Sequence, residues 1–495
     1  MHTRLVRPGR PAAAVLPAVL AVPGPVGPAV PGGPAVPGSP ARPPVVRRAP
    51  ARARRVAVAT GLVLGLALTP ALASTPAIAQ PAPAPPGAPP GVPAAAGALP
   101  GTTPAAPQDA RGAQGGPQRW DPPLAGSTVR VDLADGTARL SSARDAREAS
   151  SSLRGAQRSG FLDLGTHQFG TPVNRVDVPV AADVPAGSAV EADVRGQGPD
   201  GQWTEWVPAT PGAAAVLDEP TRVVGVRLVL TAPAAGATPV DAAGPVVRSV
   251  GVLADQVATG PRAITPRAAY RVFATREGLV GGTTANGHVI KPNDQFAALP
   301  SRRGLSANGR GDYSVRICTE AKRCATVPVW DVGPWNTTDD YWNSPAQRQS
   351  WKDLPQGRPQ AQAAFENKYN GGRDGFGRQV KNPAGIDLAD GTFYGLGLRD
   401  NAFVTVDYLW TAKSAALGRA ATAGAGPVVE RATPDAAAPD GGVVGDGAQV
   451  EVQCQVAGTS VTGTQGTSNL WLRTRPERYV PAAWIQGAPP VPPCT

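Results

Sequence analysis

Acidic residues are missing from the first 108 positions of this 495-residue chain, and so is tryptophan. What remains there is Ala, Pro, Gly and Val with scattered arginine, which cannot bury enough apolar surface to offset the entropy of ordering. Methionine occurs once, histidine three times and cysteine four times. The few His and Cys residues show no metal-ligand spacing, and there is no phosphate loop or nucleophile elbow, so neither metal nor cofactor is expected. The formal charge of +10 misleads, because nine arginines sit in the first 55 residues and the other 38 basic residues face 37 acidic ones. With no basic stripe interleaved with aromatics in the body of the chain, nucleic acid is excluded as a partner.

Within the leader, arginines from Arg47 to Arg55 precede the apolar run Val56 to Leu68 and small-residue sites at Ala71-Leu72-Ala73 and Ala77-Ile78-Ala79. This is the order of a secretory signal peptide, placed at 45–79, and it implies a secreted, extracellular or wall-associated protein. The run is too short and too diluted for a retained span, so no integral membrane association is expected after cleavage. Arg54-Arg55 leaves both general secretory and twin-arginine export open. Residues 1–44 read as a non-native or disordered extension, the true start being a valine codon near Val45. A Pro/Ala-rich linker follows over 80–119.

From 120 to 257, short alternating apolar runs are separated by Gly, Pro and Asp turns, and helical periodicity is scarce. The expectation is a β-sandwich. Asp200-Gly201-Gln202-Trp203-Thr204-Glu205-Trp206, followed by Arg222 to Leu228, resembles the discoidin or galactose-binding-like sandwiches attached to secreted actinobacterial hydrolases. Trp203 and Trp206 are either sugar-stacking platforms or core residues.

In the next domain, 268–413, Val327 and Val329 alternate with Thr326, Pro328 and Trp330, a half-buried strand pattern that also turns Asp331 inward. Gly333-Pro334 ends the strand and places Asp331 at its mouth, flanked by Trp330 and Trp335. If Cys318 faces Cys324 across a tight turn, Val315 pairs with Val327 and Ile317 with Ala325, and the two faces segregate cleanly. Of the three ways to pair four cysteines, Cys318 with Cys324 and Cys454 with Cys494 keeps each bond within one domain. His288 reads as a solvated turn residue.

Gly282 to Gly287, Leu299-Pro300, Val329 to Pro334 and Ile386 to Ala389 resemble, in order, the signatures of the double-psi β-barrel in rare lipoprotein A and its expansin-like relatives. The resemblance covers about 140 residues, with a long insertion from Thr337 to Asn382 whose helical piece at 360–369 is opened by Pro359 and is expected to wall the groove. It implies a groove that grips peptidoglycan or a related wall polysaccharide through Thr284, Asn286, Trp330, Trp335 and Asp331. In lytic relatives the matching Asp is a general acid, assisted by a His that is Phe296 here. Asp331 is therefore expected to stay ionised and accept hydrogen bonds from sugar hydroxyls. Asp387 is a second candidate carboxylate, read either as a partner in hydrolysis or as a helix cap.

Residues 414–446 read as a linker, and 447–495 is similar to a bacterial Src homology 3-like wall-binding domain. Arg310-Gly311-Asp312 and Asn336-Thr337-Thr338 match short adhesion and glycosylation motifs that also read as turns. The expected fold is mainly β and multidomain: sandwich, double-psi barrel and small Src homology 3-like barrel. Three functions fit it: a non-lytic glycan-binding and wall-remodelling protein, a lytic transglycosylase or glycoside hydrolase with Asp331 as acid, and a non-enzymatic adhesion protein.

Overall fold

A computed structural model describes residues 116–141, 157–233, 244–259, 267–412, 416–474 and 478–495. The extension 1–44, the signal segment 45–79 and nearly all of the linker 80–119 lie outside the described residues. Strands dominate and the helices are short.

The N-terminal region holds two sheets. One runs in the order Gln118–Trp120, Val252–Asp255, Gln157–Asp177, Ala215–Pro233, Ala189–Gln197 and Val207–Ala209, with Ser127–Val129 added to Gln157–Asp177. The other runs Val131–Ala134, Thr137–Leu140, Val246–Val250 and Val180–Asp183. Val131, Ala138 and Val247 of the second sheet share one apolar cluster with Leu162, Val224, Val226, Leu228 and Leu230 of the first. Strand periodicity puts residues 224, 226, 228 and 230 on that face, so Arg227 and Val229 point the other way. They are buried as well. Beside them, in register, stand Asp193 opposite Arg227 and Phe161 opposite Val229. An outward face carrying buried charge is covered by something else, and here that is the next part of the chain.

That part is a closed six-stranded barrel in the order Ala297–Leu299, Ala384–Leu388, Ala269–Arg276, Ala402–Tyr408, Ser314–Cys318 and Cys324–Val332, the last pairing back onto the first. Two of the six pairings are parallel, Ala269–Arg276 with Ala384–Leu388 and Ala297–Leu299 with Cys324–Val332. The hairpin has the expected register, Val315 with Val327, Ile317 with Ala325 and Cys318 with Cys324, and the Cys318–Cys324 disulfide is formed. The strand Cys324–Val332 departs from expectation in one respect: all nine residues are buried, not alternate ones. Its outer face is covered because Arg316, across from Thr326, donates to the buried Glu430 carboxylate at 2.9 Å.

Glu430 belongs to the segment 414–446, whose expected role as a linker is not what the structure has. It contains the strands Leu417–Ala420, Val428–Arg431 and Asp440–Val444, and the last pairs in parallel with Cys324–Val332. The physical reason is that the barrel strand leaves an edge to be satisfied, and short Val pairs between glycines are enough to fill it when their other face joins a core. Val428 and Val444 pack with Val450, Leu472, Val480 and Ile485 in one cluster, so the C-terminal unit begins near residue 416 and not at 447. The Cys454–Cys494 disulfide closes it.

Candidate functional site

Asp331 sits at the end of its strand as expected, but it does not face a groove. It is 1 % exposed, and its Oδ1 accepts hydrogen bonds from the amides of Ala285 at 2.7 Å and Val332 at 2.8 Å. Ala285 lies in the Thr284-Ala285-Asn286-Gly287 turn. That turn is knotted on itself: Thr284 Oγ1 donates to Asn286 Oδ1 at 2.7 Å, and Asn286 Nδ2 to the carbonyl of Ser306 at 3.0 Å. Thr284 and Asn286 are buried and hold backbone, so as placed they offer nothing to a sugar. Trp330 is buried too, in a separate cluster outside the barrel core, donating Nε1–H to the Arg310 carbonyl at 2.7 Å and stacking on Phe296. Of the expected groove residues only Trp335 is half-exposed, and its Nε1–H is taken by Asn382 of the insertion at 2.9 Å.

The residue that sequence reasoning missed is Glu277. It is buried and shares a contact with Asp331. Read as carboxylates, Glu277 Oε1 and Oε2 and Asp331 Oδ2 are buried acceptors with no donor between them. One proton turns the contact into a hydrogen bond. Burial, and then the Asp331 charge, push Glu277 well above the usual carboxylate range. Burial raises Asp331 too, opposed by the hydrogen bond from Glu277, the two amides and the nearby Arg130 guanidinium. The proton therefore belongs on Glu277, which donates, and the charge on Asp331, which accepts. The expectation that Asp331 stays ionised in a partly open groove is corrected in its premise: the site is closed, and a neighbouring acid supplies part of what holds the charge.

Asp387 is the third carboxyl of this cluster. It does not cap the helix Asp390–Gly395, whose N-cap is Ala389; it lies in the strand Ala384–Leu388 and accepts from Thr275 Oγ1 across the parallel pair. His288 is likewise not a solvated turn residue. Its Nε2 contacts Asp294 Oδ2 at 2.6 Å and its ring lies 4.7 Å from that of Trp330.

The N-terminal sheets close the site. Val129, Phe161 and Val229 pack with Ala285, Leu305 and Val332 in one apolar cluster over the strand mouth. Around it the outward charges of the sheet find their partners. Asp193 Oδ2 accepts from Arg227 at 2.9 Å and from Arg302 of the barrel at 3.2 Å, and Arg302 also reaches Glu191 at 2.7 Å. Trp206 is buried between the guanidinium groups of Arg195 and Arg227, 4.3 and 4.2 Å from its ring centre, and donates to the Leu305 carbonyl at 3.3 Å. Trp206 is thus an interface anchor, not a sugar platform. Glu205 beside it receives Trp342, Trp410 and Asn343 of the barrel domain at 2.5, 2.9 and 2.7 Å. Asp312, the acid of the adhesion-like tripeptide, is paired with Arg195 at 3.0 Å. Asn336 is buried and bonded to Gln360, which removes it as a glycan acceptor.

The insertion forms its helix at Gln360–Asn367, entered through Pro359 as expected. It puts Tyr341 and Trp342 into the barrel core beside Tyr408. The wall it builds faces the N-terminal sheets, across a cleft of about 770 Å³ that includes Trp203. Among the described residues no cluster of His, Cys, Asp or Glu is arranged to hold a metal ion.

Fold and site together define a closed β-barrel domain with a buried, proton-sharing carboxyl pair under an N-terminal β-sheet cap. A family model described as a domain of unknown function (DUF8814) matches residues 268–407, which is the barrel with its insertion. No curated protein matches the chain.

Proposed function

We propose that this is a secreted, wall-associated protein that binds peptidoglycan or a related polysaccharide without cutting it. The reading takes the barrel as a relative of the rare lipoprotein A and expansin-like double-psi barrels, the N-terminal sheets as a galactose-binding-like sandwich and the C-terminal unit as a Src homology 3-like wall-binding module. Supporting the first assignment are the six-stranded closure, the two parallel pairings and the Asp331 motif at a strand mouth. Two disulfides suit an oxidising compartment.

The observation that carries the non-lytic reading is the sealing of the carboxyl pair. A general acid must come within about 3 Å of the proton acceptor on its substrate. Asp331 and Glu277 are both shut in by protein, under a cap held by buried ion pairs. A second reading rests on one fact: Glu277 supplies beside Asp331 the proton that Phe296 cannot, so a barrel freed of its cap would hold an acid of the kind lytic relatives use.

Co-sedimentation of the secreted protein with purified cell wall tests the first reading. Wild type should sediment with the wall, and Asp331→Asn should do so within about twofold, because residue 331 does not reach the ligand. Failure of the wild type to sediment with peptidoglycan or any wall polysaccharide would end the proposal.

A further inference from the structure

The cleft between the N-terminal sheets and the insertion is open where the barrel mouth is shut. Trp203 lines one side, and Trp410, Gln347, Gln349, Gln356 and Lys352 line the other. Its volume of about 770 Å³ falls inside the usual span of ligand sites, roughly 300–1,000 Å³. Trp203 is half-buried, with the Arg195 guanidinium 4.1 Å from its ring centre. That cation backs one face of the ring. Gln349, in the same lining, has its Oε1 withdrawn from solvent with no hydrogen-bond partner, so its amide must turn to present that oxygen to the cleft. An acceptor left in that state costs on the order of 1–3 kcal/mol, which a hydroxyl donor would recover after rotation of the amide.

An aromatic face in a cleft lined by side-chain amides and by Asp200, Asp218 and Glu219 suits a sugar: the ring takes the axial C–H face, and the amides and carboxylates take hydroxyls. Phosphate or carboxylate ligands would call for arginine forks pointing into the space, but Arg303 in this wall is already bonded to Asp340 at 2.6 Å and Glu205 at 3.3 Å. Nor is the cleft a transient gap, since Glu205 and its barrel-domain donors Trp342, Asn343, Trp410 and Arg303 fix its floor.

We infer that this interdomain cleft, and not the barrel mouth, is the glycan site, and that it takes a short uncharged oligosaccharide segment. The inference rests on the glycan-binding reading above and gives that reading its site.

Titration of the full secreted chain with a β-1,4-linked N-acetylglucosamine hexamer and with cellohexaose, followed by calorimetry, tests it. The wild type should bind at least one of them. Trp203→Ala and Gln349→Ala should each weaken that binding tenfold or more. Near-ultraviolet circular dichroism checks that the variants keep the native packing. Natively folded Trp203→Ala and Gln349→Ala proteins that bind like wild type would overturn the cleft assignment, even with wall co-sedimentation intact. Tighter binding of an oligogalacturonate hexamer than of either neutral oligosaccharide would overturn the uncharged class. A wild type that sediments with the wall yet binds neither oligosaccharide also counts against the cleft, whereas one that does neither removes the wall-binding reading with it.

Discussion

Replacing Asp193 with Asn tests whether the cap is fixed to the barrel. Asp193 is buried between Arg227 and Arg302, which are themselves almost entirely buried. Asn keeps the volume and removes the charge, leaving two guanidinium groups in a low-dielectric interface. Breaking a buried pair from one side costs about 3–5 kcal/mol. The lower end applies, because Arg302 keeps Glu191 at 2.7 Å and Arg227 keeps the Arg302 carbonyl at 2.7 Å. Urea unfolding followed by tryptophan fluorescence should therefore show a loss of about 3 kcal/mol, a large part of the 5–15 kcal/mol typical of a domain. The pH dependence has a definite sign. Burial alone would raise the Asp193 carboxyl, but Arg302 and Arg227 outweigh it and hold it below the usual range. Its contribution is thus present above the unfolded value near 3.9 and fades as pH falls through the folded one, so the gap between wild type and variant should narrow in acid. A cost below about 1 kcal/mol at pH 7 would refute the reasoning, since it would mean that water already reaches this network.

Glu277→Gln should flatten the pH profile. Glu277 is raised in the folded state by burial and by Asp331, so its contribution is full below about 4.3 and lost as pH rises through the folded value; the neutral Gln has no such loss and should be the more stable by at least about 1 kcal/mol at pH 8. Parallel stability curves for the two proteins would contradict this. Trp206→Ala should cost about 3–5 kcal/mol in the same urea assay, and oligosaccharide affinity measured on the folded fraction should change less than threefold. Replacing Cys454 and Cys494 with Ser should destabilise by about 4 kcal/mol against about 2 kcal/mol for Cys318 and Cys324, as loop length dictates, with peptide mapping to confirm each pairing.

Much of the barrel was legible because its hairpin writes its register in the alternation of Val315, Ile317, Ala325 and Val327, and because the cysteines bracket one turn. Glu277 was not legible. Counting in twos from Val272 and Ala274 turns Arg276 inward and Glu277 outward, but Arg276 is exposed while Thr275 and Glu277 are buried, Glu277 lying one residue past the strand's end, where the alternation no longer holds. The strands of 414–446 were hidden for another reason: short valine pairs among Gly, Ala and Pro form strands only when an existing edge receives them. The closure of the site left a trace that went unread, the charges Asp193, Arg195 and Arg227 on the outward parity of apolar strands. What they meet is decided by docking two parts of the chain 75 or more residues apart, which no local pattern encodes.

The most direct test of the central claim, that the carboxyl pair is sealed and the protein holds glycan without cutting it, is mass spectrometry of the soluble fraction after incubation with purified peptidoglycan. Wild type and Asp331→Asn should both release no sugar fragments above the level of wall alone. Anhydro-sugar or reducing-end products from the wild type, absent with Asp331→Asn, would contradict it and make Asp331 a general acid.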